Sequence, residues 1–110
     1  MARYTISYRF PISGEQIYPL LTELMESCQL QIEFEGNDYL MAKENHDEVP
    51  FAKLVNVDMI INLNAATQEQ ITVDFVVRNE ELALHKDNHA FQKFEQIKQV
   101  IAKNYQADLL

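Results

Sequence analysis

A chain of 110 residues that is 47% hydrophobic and 24% charged, with two glycines and three prolines, has the size and apolar content of one globular domain spanning 1–110. Seventeen acidic against nine basic residues leave a formal charge of −8, which disfavours binding to nucleic-acid phosphates and to anionic membrane surfaces. The single cysteine, Cys28, rules out an internal disulfide and a thiol-rich metal site, and no apolar run approaches the ~20 residues of a membrane helix.

The opening residues Met1 to Thr5 alternate polar and apolar and do not read as a signal peptide, so a cytoplasmic location is expected. Tyr4, Ile6, Tyr8 and Phe10 share one face of a first strand, and Arg3, Thr5, Ser7 and Arg9 share the other. Pro11 ends it, having no N–H to give to a ladder. Ser13 to Gln16 then reads as a capping box. Behind it Ile17, Leu20, Leu21, Leu24, Met25 and Cys28 fall on a single helical stripe. Pro19 is discordant: either the helix begins at Ser13 with a proline inside it, or regular helix starts nearer Gln16.

Alternation returns with Leu30, Ile32 and Phe34 expected inward and Gln31, Glu33 and Glu35 outward. Gly36-Asn37-Asp38 supplies hairpin residues tolerant of positive φ, with Tyr39 to Lys43 as the returning strand. The register of that strand stays open, because two-residue and three-residue loops place opposite faces inward. A polar loop is expected from Glu44 to Phe51. Val55, Val57, Met59, Ile61 and Leu63 then share one face of a strand, with Asn56, Asp58 and Asn62 on the other and Ile60 as the exception. A loop near Asn64 to Glu69 leads to Ile71, Val73, Phe75 and Val77, opposed by Thr72, Asp74, Val76 and Arg78. Asp87 or Asn88 caps a last helix that carries Ala90, Phe91, Phe94, Ile97, Ile101 and Tyr105 on its buried side and Lys93, Lys98 and Lys103 on its wet side.

The order β-α-β-β-β-β-α predicts an α+β protein of two layers: a five-stranded antiparallel sheet with two helices on one face. The last four strands form a meander, and the first strand joins beside the last of them. With a first strand ending in Pro11-Ile12-Ser13, a helix opening Glu15-Gln16-Ile17-Tyr18-Pro19-Leu20-Leu21 and a long C-terminal helix, this order resembles the TATA-binding-protein-like fold and its helix-grip relatives, the START, pollen-allergen and polyketide-cyclase-like proteins. Arg78-Asn79-Glu80-Glu81-Leu82 with Asp87-Asn88-His89 is similar to small uncharacterised cyanobacterial proteins. No catalytic motif comes with either resemblance. The DNA-binding use of the first fold needs a basic sheet face and wedging aromatics, whereas Glu33, Glu35, Asp58 and Asp74 lie on the corresponding strands.

Individual candidates are weak as chemistry. His85 and His89 are four apart with Asp87 between, but the expected helix starts between the two histidines, so capping and first-turn roles are favoured over a metal site. His46 sits among Glu44, Asp47 and Glu48 without a nucleophile nearby. Cys28 belongs to the apolar stripe and reads as a buried small hydrophobe. With glycine only at positions 14 and 36, Walker-type and dinucleotide loops are excluded.

The sequence therefore predicts a non-enzymatic protein-interaction or regulatory module without metal or cofactor. Its partner is another protein or a second copy of itself, met through a sheet face that includes Arg9, Ile60, Val76 and Arg78. The alternative is a carrier or sensor of a small hydrophobic ligand held between sheet and C-terminal helix by Tyr4, Tyr8, Phe34, Phe75, Phe94 and Tyr105, which is what the helix-grip resemblance implies. A third reading is a cyclase- or isomerase-like enzyme using those tyrosines with His85 or His89.

Overall fold

The first strand, β1 (Ala2–Phe10), buries Ala2, Tyr8 and Phe10 and turns Arg3, Thr5 and Arg9 to solvent, as its alternation requires. This is a computed structural model, and it describes residues 1–45, 47, 49–63, 69–82 and 88–110. Helix α1 (Gly14–Ser27) starts at Ser13, whose backbone N–H donates to the Gln16 side-chain oxygen at 3.3 Å. Pro19 lies inside the helix on its exposed side, where it has no N–H to give to the Glu15 carbonyl one turn earlier. The stripe of Ile17, Leu21, Leu24 and Met25 is completely buried, and each such side chain contributes about 1.5–3 kcal/mol of transfer free energy.

The chain leaves α1 through Gln29, at φ 60°, the one non-glycine residue of positive φ among the described residues. A left-handed residue after a helix is ordinarily a glycine; here a glutamine takes that conformation, and its side chain accepts a hydrogen bond from Gln96 at 3.0 Å. Strand β2 (Leu30–Glu35) then pairs with β3 (Tyr39–Glu44) through the three-residue loop 36–38, which turns without positive φ. That loop length settles the register left open by the sequence: Leu40, Ala42 and Glu44 point inward, Tyr39, Met41 and Lys43 outward.

A β-bulge between Ile32 and Phe34 corrects the expectation for β2. Ile32 pairs with inward Ala42, but the next pair is Phe34 with outward Met41, so Glu33 is the extra residue. Phe34 is thereby moved to the outer face, where it is 54% exposed, instead of entering the core. Glu44 also departs from expectation: it is the last residue of β3 and buried, not the start of a polar loop.

After a 3-10 turn at Phe51–Lys53, β4 (Asn56–Ile61) buries Val57, Met59 and Ile61. The strand stops there, and Leu63, expected on the same buried face, is 44% exposed. Strand β5 (Ile71–Asn79) buries Ile71, Val73, Phe75 and Val77, and Asn88 caps α2 (His89–Asn104) by accepting from the Phe91 N–H at 2.9 Å. The strand order is β2-β3-β4-β5-β1-β6, all pairs antiparallel. The meander and the place of β1 beside β5 follow the sequence reading. The sheet nonetheless has six strands, not five, because β6 (Asp108–Leu109), after α2, adds to the free side of β1 at Tyr8 and Arg9. Both helices cover the inner face, where α1 and α2 side chains join those of the strands in one core.

Candidate functional site

The outer face is built from alternate residues of five strands. Across the ladders Arg3 lies opposite Arg78, Thr5 opposite Val76, Ser7 opposite Asp74, and Ile60 between Asp74 and Tyr39. Two arginines directly opposed repel. Asp58 relieves the pair, accepting from Arg78 Nε at 2.8 Å and from the Tyr39 hydroxyl at 2.5 Å. Burial by itself raises the Asp58 pKa, but the hydrogen bonds from Arg78 and Tyr39 outweigh it and hold the carboxyl below its usual range. The hydrogen bond to Asp58 is in turn the main cause of the raised Tyr39 pKa. Ser7 donates to Asp74 at 2.5 Å. Of the two opposed arginines, Arg78 is therefore held in an ion pair on the face itself.

The sequence-predicted interface residues share this face but differ in exposure and pairing. Arg9 is exposed and faces Asp108 across the β1–β6 ladder. Arg78 is tied to Asp58, and Val76, flanked by Thr5 and Asp58, is only 6% exposed. Ile60, 45% exposed, sits instead with Tyr39, its cross-strand partner, whose ring lies 5.7 Å from that of Phe34. Phe34, Tyr39, Met41 and Ile60 thus form an apolar and aromatic stretch at the β2–β4 end, beside a surface cleft of about 380 Å³ lined by Asp38, Ile60, Asn62, Leu63 and Asp74. Sequence reasoning missed Phe34 as an exposed residue because a bulge carries no periodic signature.

The proposed ligand residues do not line one space. Tyr4 stacks on Phe94 at 5.5 Å and meets Phe91 edge-on at 5.4 Å, and its hydroxyl accepts from Asn88 Nδ2 at 2.7 Å. Tyr8 meets Phe75 edge-on at 6.0 Å. These distances are those of packed aromatic pairs. Phe34 is on the opposite side of the sheet, and Tyr105, just past α2, donates to Glu23 at 3.0 Å.

The cluster the sequence did not reveal is polar and buried, where the end of β3 meets both helices. Glu44 Oε1 accepts from the Val55 N–H at 2.9 Å and lies 2.8 Å from His89 Nε2, while its second oxygen is 3.6 Å from Lys93 Nζ. Lys93, expected on the wet side of α2, is buried: its ammonium donates to the Cys28 carbonyl at 2.8 Å and to Gln96 at 2.9 Å. The physical reason is that α1 has no basic residue in its last turn, and Lys93 supplies from α2 the cation that the negative end of α1 favours. Glu81 Oε1 accepts from the backbone N–H of His89 at 3.1 Å and from Asn79 at the same distance. His46, His85 and Asp87 lie outside the described residues.

Each of these groups meets a protein partner, and the arrangement ties β3, α1 and α2 together. Burial pushes the Cys28 thiol up to about 11, with Lys93 offsetting part of the effect. Native Cys28 should therefore react with a thiolate-selective alkylating reagent at neutral pH far more slowly than in urea. Equal rates in the two states would contradict its burial.

No protein-family profile matches the chain, and no curated protein matches it. Among solved structures, the crystal structure of a conserved protein from Geobacillus kaustophilus is similar over 96% of this chain and 99% of its own, at 16% identity and a TM-score of 0.39.

Proposed function

We propose that the chain is a non-enzymatic interaction module that meets a partner protein through the outer face of its sheet at Phe34, Tyr39 and Ile60. The observation that carries this reading is the exposure of Phe34 and Ile60 on either side of Tyr39, all on one face and beside a cleft. Aromatic side chains in such a position give large contact area at low entropic cost, and a polar rim is already present in Asp38, Asn62 and Asp74. The reading also rests on the interior: the aromatic rings between sheet and α2 contact one another, and their Tyr4 hydroxyl is bonded within the chain. The two-layer arrangement, with β1 beside β5, supports placing the chain among TATA-binding-protein-like and helix-grip topologies. In none of those would the acidic composition favour a nucleic-acid partner.

Affinity capture with the native chain and with a Phe34→Asp, Ile60→Lys double variant tests the proposal. Capture of a partner should fall by roughly tenfold or more in the variant, as for loss of central contact residues. A Glu15→Lys variant on the exposed side of α1 should capture as the native chain does. A partner held equally by the double variant would move the interaction elsewhere.

A further inference from the structure

The outer face is not uniform in charge. Its outward residues form rows across the strands, one running Tyr39, Ile60, Asp74, Ser7 and another Lys43, Asn56, Arg78, Arg3. Four residues along each strand separate these rows, about 13 Å at ~3.3 Å per residue. Exposed charges are largely screened beyond ~8 Å at physiological ionic strength, so the basic row does little for carboxylates of the first. Arg78 is in addition tied to Asp58 at 2.8 Å. Arg9 stands on β1, two strands from Ile60, with Asp108 opposite it.

The first row borders the cleft of about 380 Å³. Ile60 and Leu63, 45% and 44% exposed, give it an apolar lining, and Asp38 and Asp74 a charged one. Local structure fixes both acidic residues there. The Asp38 carbonyl accepts from the Ile61 N–H at 2.8 Å, which pins the loop 36–38 across the end of β4. Asp74 lies directly opposite Ile60 in the β4–β5 ladder, and one of its carboxylate oxygens accepts from Ser7. Among the described residues no lysine or arginine lines the cleft, and residues 64–68, next in the sequence, carry no charge.

We propose that this face docks a basic segment of a partner protein. One cationic side chain of the segment lays its methylene stem on Ile60 and Leu63 and brings its charge to Asp38 and Asp74. A neighbouring apolar residue packs on Phe34, across Tyr39 from Ile60. The inference rests on the surface reading above and adds the chemistry of the partner. A lysine or arginine matches both linings of the cleft in one side chain, an apolar stem with a charged head. A purely apolar segment would cover Ile60 and Leu63 but take water from two carboxylates without replacing it, a desolvation cost with no return. A second copy of this chain would bring its own carboxylates and a charge of −8 to the same place. The same net charge steers a basic segment inward.

Titration of the isotope-labelled chain with a capped peptide of alternating leucine and lysine, read by amide chemical shifts, tests the proposal. Saturable shifts should concentrate at Phe34, Asp38 and Ile60 to Leu63 and weaken as salt is raised. The same peptide with glutamate in place of lysine should leave those amides unmoved. Asp38→Asn with Asp74→Asn should weaken the lysine peptide about fivefold to tenfold, the size of two surface ion pairs. Asparagine still accepts from Ser7 and leaves the Asp38 backbone carbonyl in place, so the fold is kept, which circular dichroism checks. Glu15→Gln with Glu26→Gln removes the same charge from the exposed side of α1 and should bind as the native chain does. Equal weakening by both charge variants, or shifts spread over the whole surface, would reduce the effect to general attraction by an acidic chain and overturn the proposal. Loss of peptide binding in Phe34→Asp, Ile60→Lys but not in the aspartate variant would sink the basic chemistry and leave the surface reading standing. Binding unaffected by either variant, or none at millimolar peptide, would sink both. A native dimer dispersed by Ile60→Lys would give the face to a second copy instead.

Discussion

Replacing Glu44 by alanine is expected to destabilise the fold by about 3–5 kcal/mol, the range for removing one partner of a buried ion pair. The side chain is 6% exposed and its two oxygens serve the Val55 N–H, His89 Nε2 and, at 3.6 Å, the Lys93 ammonium. His89, less enclosed than the others, can recover water on its exposed side. Lys93 cannot: it keeps the Cys28 carbonyl and Gln96 but loses the Glu44 carboxylate, its one ion-pair partner among the described residues. The Val55 N–H loses its side-chain acceptor as well, adding about 1–3 kcal/mol if water does not reach it. Urea denaturation checks the value, and a loss below about 0.5 kcal/mol would show that the cluster is wetter than its burial indicates. A Glu44→Leu, Lys93→Met double variant should regain much of the loss, since apolar replacement of a whole buried pair is often close to neutral.

That cluster also marks where sequence reading stops. Strands β1, β4 and β5 and the stripe of α1 are written in periods of 2 and 3.6, so their inward faces, the two-layer architecture and the place of β1 were all legible. Periodicity reports the face of an element, however, and says nothing of partners distant in sequence. Lys93 falls at a wet position of α2 by its spacing, yet it meets a carbonyl 65 residues away. Glu44 reads as loop because it is charged, although it occupies an inward strand position with a histidine and a lysine beside it. Strand β6 has only two residues, too few to carry any period.

The outer face shows the same boundary. Ile60 was visible as an apolar residue out of phase with its strand, and the structure places it outward. Phe34 was in phase with Leu30 and Ile32, and a one-residue offset at Glu33 reverses its side. No glycine marks that bulge, and the helix end at Cys28 is obscured for a similar reason, with Gln29 in a conformation usually given to glycine. Both irregularities lie at the start and within β2, so the candidate surface was least legible where the chain departs from regular geometry.

Phe75→Ala should cost about 3–5 kcal/mol and decides between a filled and a hollow interior. Phe75 is fully buried in the middle of β5, between Ile6 of β1 and Met59 of β4, and its ring lies 6.0 Å from Tyr8 and 6.4 Å from Phe10. The cost has two parts, the lost transfer free energy of the ring and the cavity left when neighbours relax only in part. Strands β1 and β4 hold Phe75 on both sides through backbone ladders, which limits collapse and keeps the cavity part large. In a protein that stored a small apolar ligand against this ring, the site would already be open and the cavity part would be small. Urea denaturation with an unchanged m-value is the measurement, because a changed slope would report an altered denatured or native state and not a cavity. A loss near the upper end of the range supports the packed interior on which the surface-binding reading depends. A loss of about 1 kcal/mol would redirect the search for function to the space between the sheet and α2.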